Sequence, residues 1–229
     1  LYGNLSQNIK LISEIAILSN WLNEKIYFFK NEIKSKLFFP SEDKLNPQSI
    51  VELAQKYSVN NPRVTVDAGA HMFSATAFWE CKEPYDLLIS NGLATMGFAL
   101  PAAIAASIEN NKRGAIAFTG DGGFMMCCSE LATAAQFNCN ILVIVFNDGA
   151  LSLIDIKQKS RNLTRKGTTW PQSNFAKVAE GFGCKSWRVS NVEDYKKALI
   201  NASQHCGPKL IDVLVNPEGY SEQLKSLRG

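Results

Sequence analysis

Asp121 and Asn147 are oxygen-bearing side chains 26 residues apart, and each is followed within two residues by glycine. Asp121 lies in Gly120-Asp121-Gly122-Gly123, and Asn147 in Asn147-Asp148-Gly149. A carboxylate and an amide oxygen suit a hard cation such as Mg²⁺, which keeps part of its shell for phosphate oxygens. That pair leaves net positive charge on the metal, which a diphosphate can neutralise. The glycines let backbone approach a ligand closely and offer it N–H or C=O groups. Each segment alone also reads as a tight turn, because Asp-Gly and Asn-Asp-Gly are turn sequences. A dinucleotide site is a rival reading. Gly120-x-Gly122 opens like G-x-G-x-x-G, but Met125 holds the third glycine position and Asn147, not an acid, ends the next strand.

Such loops need strands that end at them. Gly114 to Thr119 is a β-run leading into Gly120, and Ile141 to Phe146 is an apolar strand leading into Asn147. The helix expected between them covers Ser129 to Phe137, with Ser129 as a candidate cap and Glu130 in its first turn. The two loops should therefore be neighbours at the carboxyl ends of strands, where open parallel sheets bind ligands. Further strands are expected at Arg63–Asp67, Leu87–Ser90, Cys184–Val189 and Lys209–Val215. Helices are expected at Pro47–Tyr57, Leu100–Ile108, Asn174–Gly183 and Val192–Gln204. Strands that are continuous apolar runs and alternate with helices indicate an α/β fold, a doubly wound and mostly parallel sheet. Before it stands a helical extension. Leu5, Ile9, Ile12, Ile15, Leu18, Leu22, Ile26 and Phe29 step by threes and fours along one face, with a break near Asn20-Trp21 and a loop at Phe39-Pro40-Ser41. Residues 1–46 thus read as a linker or the end of a preceding domain, and residues 47–229 as the ligand-binding domain.

The 229 residues carry 24 basic and 21 acidic side chains, a net charge of +3, which is too balanced to argue for nucleic acid or an anionic membrane surface. No apolar run approaches a membrane span. The six cysteines include no C-x-x-C and stand with only two histidines, so a structural zinc site is not expected. They read as reduced thiols used as small core residues, in a cytoplasmic protein. No signal peptide is apparent, and a first residue of Leu rather than Met reads as a fragment, a processed product or the ordered part of something longer, with a fragment favoured.

Three motifs in order carry a resemblance: Asp67-Ala68-Gly69-Ala70-His71, then Ser90 to Ala103 with Thr95-Met96-Gly97 inside it, then Gly120-Asp121-Gly122 with Asn147. Over residues 47 to 216 the chain resembles the C-terminal, diphosphate-binding domain of thiamine-diphosphate enzymes, most closely the catalytic subunit of acetolactate synthases. The resemblance implies that Asp121 and Asn147 ligate Mg²⁺ through their side chains and Gly149 through its carbonyl. It implies that His71 and the Gly122-Gly123 backbone contact the diphosphate, and that Ala70, Gly120, Ala150 and Leu151 also bind the cofactor. Met96 would lie under the thiazolium ring, and the backbone of Ala94 to Met96 would meet the aminopyrimidine. Two positions depart from the family pattern. Phe146 stands where Asn often precedes the metal-binding Asn, and Gly123 stands where Ser is common. Neither removes a ligand. The apolar Ala150 to Ile154 segment, with no acid at Leu153, argues against a simple pyruvate decarboxylase. Lys157, Lys159 and Arg161 are either an anion-facing set or, the favoured reading, a solvated helix face.

By the same resemblance the chemistry is decarboxylation of a 2-oxo acid such as pyruvate and carboligation of the remaining fragment to a second 2-oxo acid, as in branched-chain amino acid biosynthesis. The enzyme would be a transferase or lyase. Another thiamine-diphosphate decarboxylase, an acyl-CoA lyase and a non-catalytic cofactor-binding remnant are the alternatives. The family's proton-relay glutamate lies on a separate pyrimidine-binding domain, and no glutamate here sits in a matching motif. No catalytic acid or base is therefore named. The chain is expected to be inactive alone and to act in a homo-oligomer that supplies that domain, with FAD an option in the full-length enzyme.

Overall fold

The computed structural model describes residues 5–15, 22–38 and 45–228. These fall into two compact units, Leu1–Ser35 and Lys36–Gly229. The first holds α1 (Leu5–Ile15) and most of α2 (Asn23–Leu37). Ile9, Ile12, Leu22, Ile26 and Phe29, from the expected apolar stripe, are exposed. The expected break at Asn20-Trp21 and the loop at Phe39-Pro40-Ser41 lie outside the described residues.

The second unit contains α3 (Pro47–Tyr57), β1 (Arg63–Val66), α4 (Ala70–Phe78), β2 (Leu87–Ile89), α5 (Ala99–Glu109) and β3 (Ala115–Gly120). Then come α6 (Asp121–Cys127), α7 (Leu131–Gln136), β4 (Ile141–Asn147), α8 (Ser152–Ser160), α9 (Phe175–Gly181), β5 (Lys185–Val189), α10 (Val192–Ser203), β6 (Lys209–Leu214) and α11 (Tyr220–Arg228). All six strands pair in parallel in the order β2-β1-β3-β4-β6-β5. The doubly wound α/β expectation is met, and the sheet is parallel throughout.

Alternation along each strand builds a core on each face of this sheet. Val64, Val66, Ile116, Phe118, Ile144, Phe146, Ile211 and Val213 face one core with residues of α3, α4 and α10. Ala115, Ala117, Ile141, Val143, Val145 and Leu210 face the other with residues of α5, α6, α7 and α9. Alanines in β3 let the alanine-rich α5 lie close to the sheet. The first core reaches back to Leu37 and Leu45, ahead of α3. Tyr195 of α10 donates its hydroxyl to the Ile50 carbonyl at 3.0 Å and so ties two helices of that layer together.

Caps agree with composition at three helix starts. Asn46, Asn174 and Asn191 each accept a backbone N–H in the first turn of α3, α9 and α10. Ser129 does not cap a helix. The chain is already helical from Asp121, passes through a short 3-10 turn at Cys128–Glu130 and continues as α7. The Gly120-to-Gly123 segment is therefore a strand end fused to a helix start, with no loop between, because its glycines add no side chain to the crowded junction. Sequence reading also left out α4 and α11. Ala70–Phe78 is nearly all small or apolar and lacks a helical polar face.

Candidate functional site

The strand order reverses between β1 and β3. Chain leaving β1 moves to one side of the sheet, and chain leaving β3 moves to the other. In open α/β sheets this switch point, at the carboxyl ends, is where ligands bind. Asp67 follows β1, Asp121 follows β3 and Asn147 ends the neighbouring β4.

Asp67 is fully buried and fixes the geometry. Its carboxylate accepts the N–H groups of Ala99 at 2.6 Å and Gly97 at 3.1 Å, and the Thr119 hydroxyl at 2.7 Å. It thereby locks the Thr95-Met96-Gly97 turn to the ends of β1 and β3. Gly123 must be glycine here, because a Cβ would strike the Asp67 carboxylate.

His71, in the first turn of α4, is 3% exposed and stacks on Phe146 with ring centroids 5.2 Å apart. Its ring also lies against Gly69 and Gly120. Burial lowers its pKa to about 4, although Asp67 and the Phe118 carbonyl act the other way, so the imidazole is neutral near pH 7. Its Nε2 is buried without a hydrogen-bond partner.

Asp121 is 2% exposed. Its Oδ1 accepts the Gly122 N–H and its Oδ2 the Gly149 N–H, both at 2.7 Å. Burial and the nearby Asp148 raise its pKa to about 7, despite backbone N–H groups that favour the charged form. Burial also raises Asp148, whose carboxylate takes the Ser152 hydroxyl. Two desolvated carboxyls side by side are electrostatically costly unless a cation joins them.

Asn147 is fully buried, and both its amide hydrogens are committed. Nδ2 donates to the Ser173 carbonyl at 2.9 Å and to Asp212 Oδ1 at 2.8 Å. That fixes the amide orientation and leaves Oδ1 as a buried acceptor with no partner. Gly149 holds φ +70°, a left-handed conformation that favours glycine. Its carbonyl accepts the Trp170 N–H at 3.0 Å and keeps its second lone pair.

Met96 is half-buried, with Leu151 and Trp170 for company. A Cβ on Gly122 would lie 2.7 Å from Leu151 Cδ2, 3.2 Å from Met96 Cε and 3.4 Å from the Trp170 ring. Ala150 pairs with Thr169, and Leu151 donates its N–H to the Thr168 carbonyl at 2.8 Å. The fold thus gathers Ala70, His71, Met96, Gly120 to Gly123, Asn147 and Gly149 to Leu151 around the switch point. Ala94 and Thr95 are exposed. They join the site through backbone, where Thr95 O accepts the Ala68 N–H at 3.4 Å, and Ala94 holds φ +50°.

Three contributors were given no role from sequence, although Asp67 stands in the Asp67-Ala68-Gly69-Ala70-His71 motif. Asp67 and Asp212 look like ordinary strand-end and mid-strand acids, and Trp170 lies in a segment without periodicity. A mid-strand acid in Leu210-Ile211-Asp212-Val213 was the available signal, since a buried carboxylate in an apolar strand needs partners. In α8, Lys159 pairs with Asp155 at 2.9 Å and is exposed, as is Arg161, which fits the solvated-face reading. Cys127, Cys139 and Cys184 are buried as expected, whereas Cys81 and Cys206 are exposed. Among the described residues no helix is long and apolar enough to cross a membrane.

An all-parallel doubly wound sheet with a carboxylate–amide–glycine set at its switch point defines a phosphate-ligand-binding α/β domain. Residues 67–213 match the family model described as thiamine pyrophosphate enzyme, C-terminal TPP binding domain, and the chain belongs to this family. It is 31% identical over 182 residues to an acetolactate synthase of Bacillus subtilis (strain 168), covering 80% of this chain and 31% of that protein. It is 33% identical over 221 residues to the mitochondrial acetolactate synthase of Schizosaccharomyces pombe (strain 972 / ATCC 24843), covering 94% of this chain and 32% of that one. A solved Rhodococcus jostii RHA1 thiamine diphosphate-dependent 4-hydroxybenzoylformate decarboxylase superposes with a TM-score of 0.72 at 23% identity, covering 78% of this chain and 34% of that one. At that identity the likeness is one of fold. The chain spans about a third of the length of the relatives it matches.

Proposed function

We propose that residues 47–229 are the diphosphate- and Mg²⁺-holding domain of an acetolactate synthase-like enzyme, which decarboxylates a 2-oxo acid such as pyruvate and joins the product to a second 2-oxo acid. The orphaned Oδ1 of Asn147 carries this reading. A buried amide oxygen without a partner costs about 1–3 kcal/mol, and a hard cation is the partner that satisfies it. Asp121 supplies the anionic ligand, and the free lone pair of the Gly149 carbonyl supplies a third oxygen. Among the described residues no three His, Cys, Asp or Glu side chains converge as an alternative metal cluster.

When bound, thiamine diphosphate would supply the carbanion chemistry. The protein's own part is positional. His71 would border the diphosphate, the Gly122 and Gly123 backbone would lie against it, and Ala70, Gly120, Ala150 and Leu151 would complete the cofactor's surroundings. Met96 and the Ala94–Thr95 backbone support the organic rings. The proton-relay glutamate belongs to a domain that the homo-oligomer of the full-length protein would supply, and residues 1–46 would be a linker or the end of a preceding domain. A cytoplasmic location and an FAD in the full-length enzyme belong to the same reading.

Titration of Mg²⁺ with thiamine diphosphate, read by thermal unfolding, tests it. A hundredfold excess over Kd adds about 2.7 kcal/mol and raises the midpoint by roughly 5–10 °C. Asp121→Asn should abolish the rise. Equal rises in the parent and the variant would refute the metal assignment.

A further inference from the structure

A cavity of about 150 Å³ lies at the opposite, amino-terminal end of the strands, lined by residues of α3, α10, β3, β4 and β6. Lys209, at the start of β6, projects into its lining and is only 5% exposed. Its ammonium donates to Asn140 Oδ1 at 2.7 Å and to the His205 carbonyl at 2.9 Å. Both acceptors are neutral, and an ammonium carries three donors. Among the described residues no carboxylate pairs with it. Lys185 of β5 stands beside Lys209 in the parallel register, also without a carboxylate partner. Like charges side by side on neighbouring strands repel, and buried cations are ordinarily paired. His205 lines both this cavity and an adjoining cleft that Lys185 borders. Burial and these two lysines lower its pKa. Burial likewise lowers that of Lys209, to about 8, so its charge is poorly compensated.

We infer that this cavity is a binding site for a small anion, a phosphate or a short carboxylate, held by Lys209 with Lys185 at its mouth. The volume suits it, since a water occupies about 30 Å³ of liquid and the cavity holds several times that. The inference stands independently of the cofactor reading, because the site uses the other end of the sheet.

The chain has two histidines, one at each site, so NMR separates them directly. Inorganic phosphate, and in a second series acetate, would be titrated into the 229-residue chain at constant ionic strength made up with chloride. The imidazole C–H signals of His205 should move saturably, with or without a separate shift at His71. The more tightly bound of the two anions identifies the class. Lys209→Met should abolish the shift, and Lys185→Met should weaken binding about tenfold, the worth of one charged hydrogen bond. If Lys209→Met fails to fold, the Lys185→Met titration alone decides. An unmoved His205, a shift confined to His71, or unchanged binding in the lysine variants would overturn the proposal.

Discussion

At the scale of single residues, the site is built from side chains whose bonding is fixed before any ligand arrives. Asn147 illustrates this, because its amide hydrogens belong to Ser173 and Asp212. Asn147→Leu should leave the Asp212 carboxylate short of a donor and destabilise the metal-free chain by about 2–4 kcal/mol, measured by urea denaturation. An unchanged midpoint would contradict the arrangement. Asp121 has the opposite character. Its folded pKa of about 7 stands above the ordinary carboxylate value. The folded state therefore holds an extra proton between about pH 4 and 7, and stability falls as pH rises through that window. In metal-free buffer Asp121→Asn, which has no titrating proton but turns one acceptor into a donor, should gain on the parent by about 1–3 kcal/mol between pH 4 and pH 8, measured by urea denaturation. His71 works in the reverse sense. Its pKa of about 4 lies below the ordinary value, so its contribution is present above about pH 6.5 and is lost as pH falls toward 4. Its imidazole signals should accordingly stay in the neutral form down to about pH 4.

At the scale of elements, the strands were legible and the junctions less so. Continuous runs such as Ile141 to Phe146 admit a buried parallel strand, and both expected strand ends carry site residues. The start of α6 was not legible, because Gly122-Gly123 reads as a turn by propensity and becomes helical only through tertiary packing. The same crowding explains Gly123. Gly123→Ala should push against Asp67 and cost about 1–3 kcal/mol, whereas an alanine at Gly92, where no atom approaches the position of a Cβ, should be nearly silent. Asp67→Ala removes the acceptor of two backbone N–H groups and one hydroxyl. A loss of about 3–5 kcal/mol is expected, with hydrogen-exchange protection falling first at Gly97 and Ala99. Spacing revealed Asp121 and Asn147 as the proposed ligands, but Asp67, Asp212 and Trp170 act through contacts between segments distant in sequence that no local pattern encodes.

At the scale of the whole molecule, membership of the thiamine pyrophosphate enzyme family is carried by residues 67–213, and the helical first unit stands apart from that match. The proposed division of labour predicts that the 229-residue chain binds Mg²⁺ and thiamine diphosphate yet shows no pyruvate turnover. Turnover by this chain alone would place the acid–base group within it. The contact between Asn147 and Asp212 has one more consequence, which concerns biosynthesis. Asp121 and Asn147 are made within 26 residues of each other, but β6, which carries Asp212, pairs beside β4 only after some sixty further residues have been made. A nascent chain halted before Lys209 would possess both proposed metal ligands and still lack the group that orients one of them. On the proposed reading, competence to hold the cation would therefore arrive late in translation, when the penultimate strand of the sheet order closes onto β4.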